Sequence, residues 1–344
     1  MANFVPSALL NGQARFTEAF LSKEWRLPDN AAIRMMQIGG AINPDHMALR
    51  TREDRAVHAY FPIRKAAIGS VARAAAHTGS RLDSVDETLS WTTLAEPFTI
   101  SVKQADNNIF SFAEMFAVTQ RNAILNLIDR IDAYVVAQMI AGKTGYSAGG
   151  GNGAFNDVPD VYEVPVAEKD YFFQNAKNVM NFNLYRGQLV GILDEKASML
   201  ASRLFEQGSA NATNYGFQFA GAEWVKTTRT LLGTDYDGSA LMFEAGGLCV
   251  LPWIPKQNRK PLDPVKAVEY NGDWGQIDVP ELGFPIAIHM YASRADVAAG
   301  NGGYTQDLVI EGELSIDIGY VQAPLSSFRS AVDEVVYGFG QLKI

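Results

Sequence analysis

The chain has 344 residues, 47% hydrophobic and 19% charged, with a formal net charge of −9, which is ample for a core and long enough for two domains or one domain carrying a large insertion. No stretch approaches about eighteen uninterrupted apolar residues, and MANFVPSALL lacks the basic region and apolar run of a secretory signal, so the sequence excludes a membrane span and points to synthesis in the cytoplasm. The one cysteine, Cys249, excludes an intrachain disulfide; its setting in LCVLPWI reads as a small buried hydrophobe.

The net charge hides an asymmetry. Residues 1–82 hold eleven Lys/Arg and six Asp/Glu, a net of +5, and the remainder holds eighteen against thirty-two, a net of −14. An acidic body repels phosphates, so the basic segment is expected to reach the acidic surface of a neighbouring copy rather than a nucleic acid.

Residues 1–50 are broken at Pro28-Asp29-Asn30, at Gly39-Gly40 and at Asn43-Pro44 after a helix-like run from Gln13 to Trp25. Such pieces are too short to bury a core and read as an arm lying against something else. Val57–Ile63 and Trp91–Val102 alternate as strands and enclose RKAAIGSVARAAAHTGSRLDSVDET, a low-hydrophobicity stretch carrying Arg64, Lys65, Arg73 and Arg81. The pattern predicts a long two-stranded excursion from the body.

Ser111 to about Ala141 repeats apolar residues at Phe112, Met115, Phe116, Ile124, Leu127, Ile128, Ile131, Val135 and Ile140, one face of a helix. Ser111 and Glu114 have capping-box spacing and Gly142 marks the end. About thirty residues at ~1.5 Å each span ~45 Å, longer than most single domains need. Arg121, Asp129, Arg130 and Asp132 exclude a membrane helix.

Ala137-x4-Gly142-Lys143-Thr144 matches a relaxed phosphate-loop pattern, yet its lysine follows a helix, where carbonyls and negative partial charge face outward; nucleotide binding is not expected. Residues 168–182 read as a second amphipathic helix with Tyr171, Phe172, Ala176, Val179 and Met180 on one side. Leu189–Leu193 reads as an apolar strand, followed by Asp194 as N-cap and a helix to Gly208. Strands are expected at Phe217–Val225, Leu248–Ile254 and Pro285–Ala292. Asp307–Tyr320 reads as a strand pair turning at Gly312, and Val332, Val335, Val336 and Tyr337 as one more element. The class is α+β.

Constellations that carry chemistry are not apparent. His46, His58, His77 and His289 are scattered without metal-ligand spacing, Asp235-Tyr236-Asp237-Gly238 lacks the spacing of a calcium loop and reads as a turn, and paired acids such as Asp194-Glu195 and Asp333-Glu334 read as caps and solvated faces. The sequence thus predicts no enzyme, no cofactor and no metal.

The order of elements, from N-terminal arm through extended two-stranded loop, long helix, Gly-rich connection (GKTGYSAGGGNGAFND), second helix and apolar-strand α+β insertion (LVGILDEKASMLASRLFEQGS) to returning strands (SIDIGYVQAP), resembles the major capsid proteins of tailed bacteriophages, the Hong Kong 97 fold. The resemblance implies residues 1–50 as the arm and 51–101 as the extended loop. It implies 102–186 with 304–344 as a peripheral domain built on the spine helix 111–141, and 187–303 as an inserted axial domain. It further implies self-assembly into hexamers and pentamers of an icosahedral or prolate shell, localisation in the virion, and enclosure of double-stranded DNA without sequence-specific binding. A separate scaffold, a portal and decoration proteins are the expected partners, with Met1 favouring the separate scaffold. Arg64, Lys65, Arg73, Arg81, Arg121, Asp129 and Arg130 are then expected at contacts between subunits. Encapsulin-type protein-cargo shells share this architecture, and an α+β enzyme or ligand-binding protein is the alternative from another class.

Overall fold

The structure is a computed structural model. It describes residues 28–40, 42, 56–63, 83–102, 111–144, 153–156, 160–183, 185, 187–207, 216–219, 221–269, 272–298, 304–322 and 336–343, with 7, 8, 10–12, 14, 15 and 18 of the N-terminal segment. Among these, two large sheets and one long helix share a continuous core.

The first sheet is built on β14 (Tyr304–Gln322). One edge of β14 pairs with β3 (Trp91–Ser101), from Val309↔Ser101 to Gly319↔Trp91. Its other edge takes β13 (Phe284–Ala298) and then β11 (Leu248–Trp253), and β12 (Asp273–Val279) adds to β13; every pairing is antiparallel. In the middle of β14, Ile310, Leu314, Ile316 and Ile318 are buried on one face, while Glu311, Glu313 and Asp317 lie on the other together with buried Val309.

The helix α2 (Phe112–Ala141) lies on the buried side of this sheet, against β3 and β14. Its stripe of Phe116, Ala123, Ile124, Leu127, Ile128, Ile131, Val135 and Met139 is at most 3% exposed, the i, i+3, i+4 spacing bringing these side chains onto one face. Burial of each large apolar side chain favours docking by ~1.5–3 kcal/mol. The capping box is made as the sequence predicts: Glu114 N–H donates to Ser111 Oγ and Ser111 N–H donates to Glu114 Oε2 at 2.9 Å.

The second sheet runs β5 (Ala154–Asn156), β6 (Val161–Val164), β15 (Val336–Leu342), β10 (Tyr236–Glu244), β7 (Leu189–Leu193), β9 (Ala222–Lys226), β8 (Gly216–Phe219), with β4 (Lys143–Thr144) also on β15. Three pairings, β15 with β4, β15 with β6 and β7 with β9, are parallel. Helices α3 (Phe172–Phe182) and α4 (Glu195–Gln207) pack on it, with Asp194 Oδ1 capping α4 by accepting from Ala197 N–H at 2.8 Å. The short helix α5 (Pro264–Glu269) lies against β12 and β13.

Several expectations change. The strand before the excursion, β1 (His58–Ile63), pairs with β2 (Asp83–Thr88), not with 91–102, and β3 enters the large sheet instead. DSVDET holds a single apolar residue, Val85, so no sequence pattern marked it. The expected turn at Gly312 is mid-strand: an added Cβ there would come within 2.7 Å of Phe98 Cε1, so the glycine makes room for a ring from β3, not for a bend. Asp235–Gly238 is not a free turn but the bulged start of β10, whose interior is buried on both faces and therefore shows no alternation. The strand β12 was not foreseen. Tyr171, expected inward, is 57% exposed because the chain is still in a 3-10 turn (Val166–Tyr171) there, and α3 begins at Phe172.

The expected arm is in part a core element of its own chain. Helix α1 (Ala31–Ile38) buries Ala32, Ile33, Met35 and Met36 between α2, the strands β7 and β9, and β11. Strand β15, from the range 304–344, sits in the sheet of β7 and β10, and β11–β13, from the range 187–303, sit with β3 and β14. The two ranges therefore exchange strands. The 323–335 segment linking β14 to β15 lies outside the described residues, as does 145–152 after β4.

Candidate functional site

The β1–β2 ribbon is a separate two-stranded sheet. At its base Val57 and Leu89 are 9% and 6% exposed and pack with Leu251, Trp91, Cys249 and Val321 as a small cluster apart from the main core. Leu89 N–H donates to the Val57 carbonyl at 2.9 Å, closing the ribbon where it leaves the body. Beyond that point Tyr60 is 68% exposed, and His58 contacts Asp86 at 2.9 Å on the same face. A two-stranded ribbon on its own is marginal in water. Arg64, Lys65, Arg73 and Arg81 lie in 64–82, outside the described residues.

The other three expected contact residues are on α2. Arg121 is half-buried. Arg130 donates to the Ala95 carbonyl at 2.6 Å and pairs with Glu96 at 2.9 Å, joining the helix to β3. Asp129 accepts from Arg229 at 2.6 Å. Asp129 and Arg130 thus hold α2 to elements of the same chain.

Arg229 leads to a group that sequence reasoning missed. Asp132 is fully buried on the apolar stripe of α2. Its Oδ1 accepts from the backbone N–H groups of Ala32 at 2.8 Å and Ile33 at 3.3 Å, at the start of α1, and its Oδ2 accepts from Arg229 Nε at 2.9 Å. The Arg229 guanidinium also donates to the Asp129 carbonyl at 2.8 Å. Close by, Asp29 Oδ2 accepts from Thr227 Oγ1 at 2.6 Å, Thr228 N–H at 2.6 Å and Thr228 Oγ1 at 2.8 Å. Three carboxylates, Asp29, Asp129 and Asp132, and one guanidinium thereby tie together α1, α2 and the link after β9.

Burial pushes the Asp132 carboxyl up to about 6, against the pull of Arg229. For Asp29 burial acts upward too, but the Thr227 and Thr228 hydrogen bonds outweigh it and hold the carboxyl below its ordinary value. All these acceptor positions are occupied by protein donors, so the arrangement locks elements together rather than presenting a group for catalysis. A signal existed in the sequence: an aspartate in register with Ile128, Ile131 and Val135 on an apolar stripe is buried and must be paired.

Elsewhere the sequence candidates have structural roles. Cys249 is half-buried in the satellite cluster, and burial pushes its thiol up to about 11, far from thiolate chemistry. Lys143 and Thr144 form β4, pairing with Val336 and Tyr337, so the near phosphate-loop sequence is a helix end followed by a strand. His46 and His77 lie outside the described residues. Among those described, no group of three or more His, Cys, Asp or Glu side chains converges as a metal site, and no helix is long and apolar enough to cross a membrane.

No family model matches the sequence, and no curated protein matches it. Among solved structures, the chain is similar to one from Mycobacterium phage Che8 at 9% identity, covering 87% of this chain and 89% of that one with a TM-score of 0.48. It is similar to the cyanophage Pam1 capsid asymmetric unit at 8% identity, 90% and 93% coverage and a TM-score of 0.48. The asymmetric unit of the bacteriophage PhiM1 mature capsid gives 10% identity, 86% and 84% coverage and a TM-score of 0.42.

Proposed function

We propose that this chain is the major capsid protein of a tailed bacteriophage, a structural subunit and not an enzyme, that assembles with copies of itself into hexamers and pentamers of a shell around double-stranded DNA. The observation that carries the reading is the β1–β2 ribbon, which leaves the body at Val57 and Leu89, carries exposed Tyr60, and belongs to neither large sheet. A two-stranded ribbon is marginal on its own, whereas a subunit that must touch many neighbours uses it as interface. A 30-residue helix backed by a sheet is the rigid body that such contacts require. In this reading the β14 sheet with the long helix and the β10 sheet are the peripheral and axial parts, with strands exchanged between the ranges 102–186 with 304–344 and 187–303; the extended loop is the part of 51–101 that precedes β3, and scaffold, portal and decoration proteins are the partners during assembly.

Electron microscopy and sedimentation of the purified full chain test it. Closed shells or capsomers are expected; species no larger than a tetramer under every assembly condition overturn the proposal. Shell contents decide between a genome container and a protein-cargo compartment: nuclease-protected DNA in particles from infected cells is expected, and a packaged enzyme without DNA refutes the phage assignment.

A further inference from the structure

Helix α1 is eight residues long, too short to persist alone in water. Its own N-cap residue, Asn30, makes no side-chain cap bond. The cap comes from α2 instead: Asp132 Oδ1 accepts from the Ala32 and Ile33 N–H groups, and a carboxylate is the charge that the positive end of a helix attracts. At the other end Gln37 Nε2 donates to the carbonyls of Glu281 and Leu282, both at 3.2 Å, and Gly40, at φ 63°, turns the chain away. Between these fastenings Ile33, Met35 and Met36 are at most 2% exposed and fill the space between α2 and the strands β7 and β9. The helix is a strap, polar at its ends and apolar between, that ties α2 to the β10 sheet.

Of the two fastenings, only the one at Asp132 can ionise. Burial pushes this carboxyl up to about 6, with the Arg229 bond pulling against burial and the Asp29 charge adding to it. On the elements packed here, Asp129 shares Arg229 and Arg130 turns to Glu96 of β3. Arg34 on α1 and Glu223 on β9 are half-buried, and Lys226 is exposed. With the strap lifted, Asp132 meets water and the cause of its raised value is gone. A proton is therefore held more tightly with the strap down than with it up.

We propose that α1 is a pH-sensitive latch, down while Asp132 is protonated and loosened from α2 and the β10 sheet as that carboxyl ionises, with both sheets left intact. It is a property of the single chain and does not depend on assembly. A carboxyl that titrates at about 6 with the strap down and at 3.8 in water makes opening about 25-fold more frequent at pH 7.5 than at pH 4.5. Asp29, held below its ordinary value, is ionised in both states across most of that window and adds little to the slope.

Hydrogen exchange of the full chain, read by mass spectrometry and corrected for the intrinsic pH dependence of amide exchange, tests the latch. Protection of residues 31–38 is expected to fall by about 25-fold from pH 4.5 to 7.5, and these residues are expected to exchange at least about 10-fold faster than 123–139 of α2 at both values. Asp132→Asn is expected to shrink the fall to under about 3-fold. Gln37→Ala removes the fastening that does not titrate, so it should lower protection alike at both pH values and keep the ratio of about 25. Equal protection of 31–38 at the two pH values, or exchange of α1 in step with α2 and β14, overturns the latch. A fall that survives Asp132→Asn, or one that vanishes in Gln37→Ala, overturns it as well, because the titrating group would then lie elsewhere.

Discussion

Asp132→Asn isolates the charge at the centre of the α1–α2 junction. The amide keeps the shape and its oxygen can still accept from Ala32 and Ile33 N–H, while its NH2 meets Arg229 Nε where Oδ2 accepted, a loss that does not vary with pH; the pH-dependent part of the difference is the missing ionisation. Burial raises the folded carboxyl to about 6 from an unfolded value of 3.8. Between those values the folded state binds more protons than the unfolded one. The group's contribution to stability is therefore fully present below the unfolded value and is lost as pH rises through about 6. One pKa unit corresponds to ~1.36 kcal/mol, so the full span amounts to about 3 kcal/mol, of which about 2 falls between pH 4.5 and 7.5. Asp29, whose carboxyl is held low, works in the opposite sense and is common to both proteins. Urea unfolding of parent and variant subunits at the two pH values gives the test. The stability of Asp132→Asn relative to the parent is expected to rise by about 2 kcal/mol from pH 4.5 to 7.5. Parallel curves would show that the carboxyl titrates normally and that the burial argument is wrong.

Asp132→Ala differs in kind, because it leaves two buried N–H groups and Arg229 Nε without their acceptor; a loss of about 3–5 kcal/mol is expected in the same assay at pH 7.5, and a loss under ~1 kcal/mol argues that α1 is held by packing alone. Gly312→Ala pushes a methyl into the Phe98 ring, which itself meets Phe116 of α2 edge-on at 6.3 Å. The expected cost is about 1–3 kcal/mol, seen as a melting temperature lowered by several degrees, and an unchanged melting temperature refutes the close approach. Cys249, with its thiol pushed up to about 11, has about 100-fold less thiolate at pH 8 than an ordinary cysteine, so thiol-specific labelling of the folded chain should lag that of the chain in urea by at least that factor. Equal rates would place the thiol in open solvent.

Local rules account for what was legible beforehand. The capping box at Ser111 and Glu114, the apolar stripe of α2, the strand Leu189–Leu193 and the Asp194 cap each depend on residues within a few positions of one another, and all stand as read. Strands fared worse, because pairing is non-local. β1 chose β2 over β3, and β10, buried on both faces at the centre of its sheet, carries no alternation to find. Gly312 shows the same limit on a single residue, since only the approach of Phe98 from a strand some two hundred positions away explains it.

The sequence by itself determined the α+β class, the long amphipathic helix with both its ends, and the contrast between a basic first quarter and an acidic remainder. Tertiary structure alone decided that residues 31–38 are core, that Asp132 and Arg229 meet, and that α1 takes its cap from α2. Helical periodicity and capping are set by neighbours three or four residues apart, whereas strand order, buried charge pairs and sheet faces exist only once distant segments are brought into register.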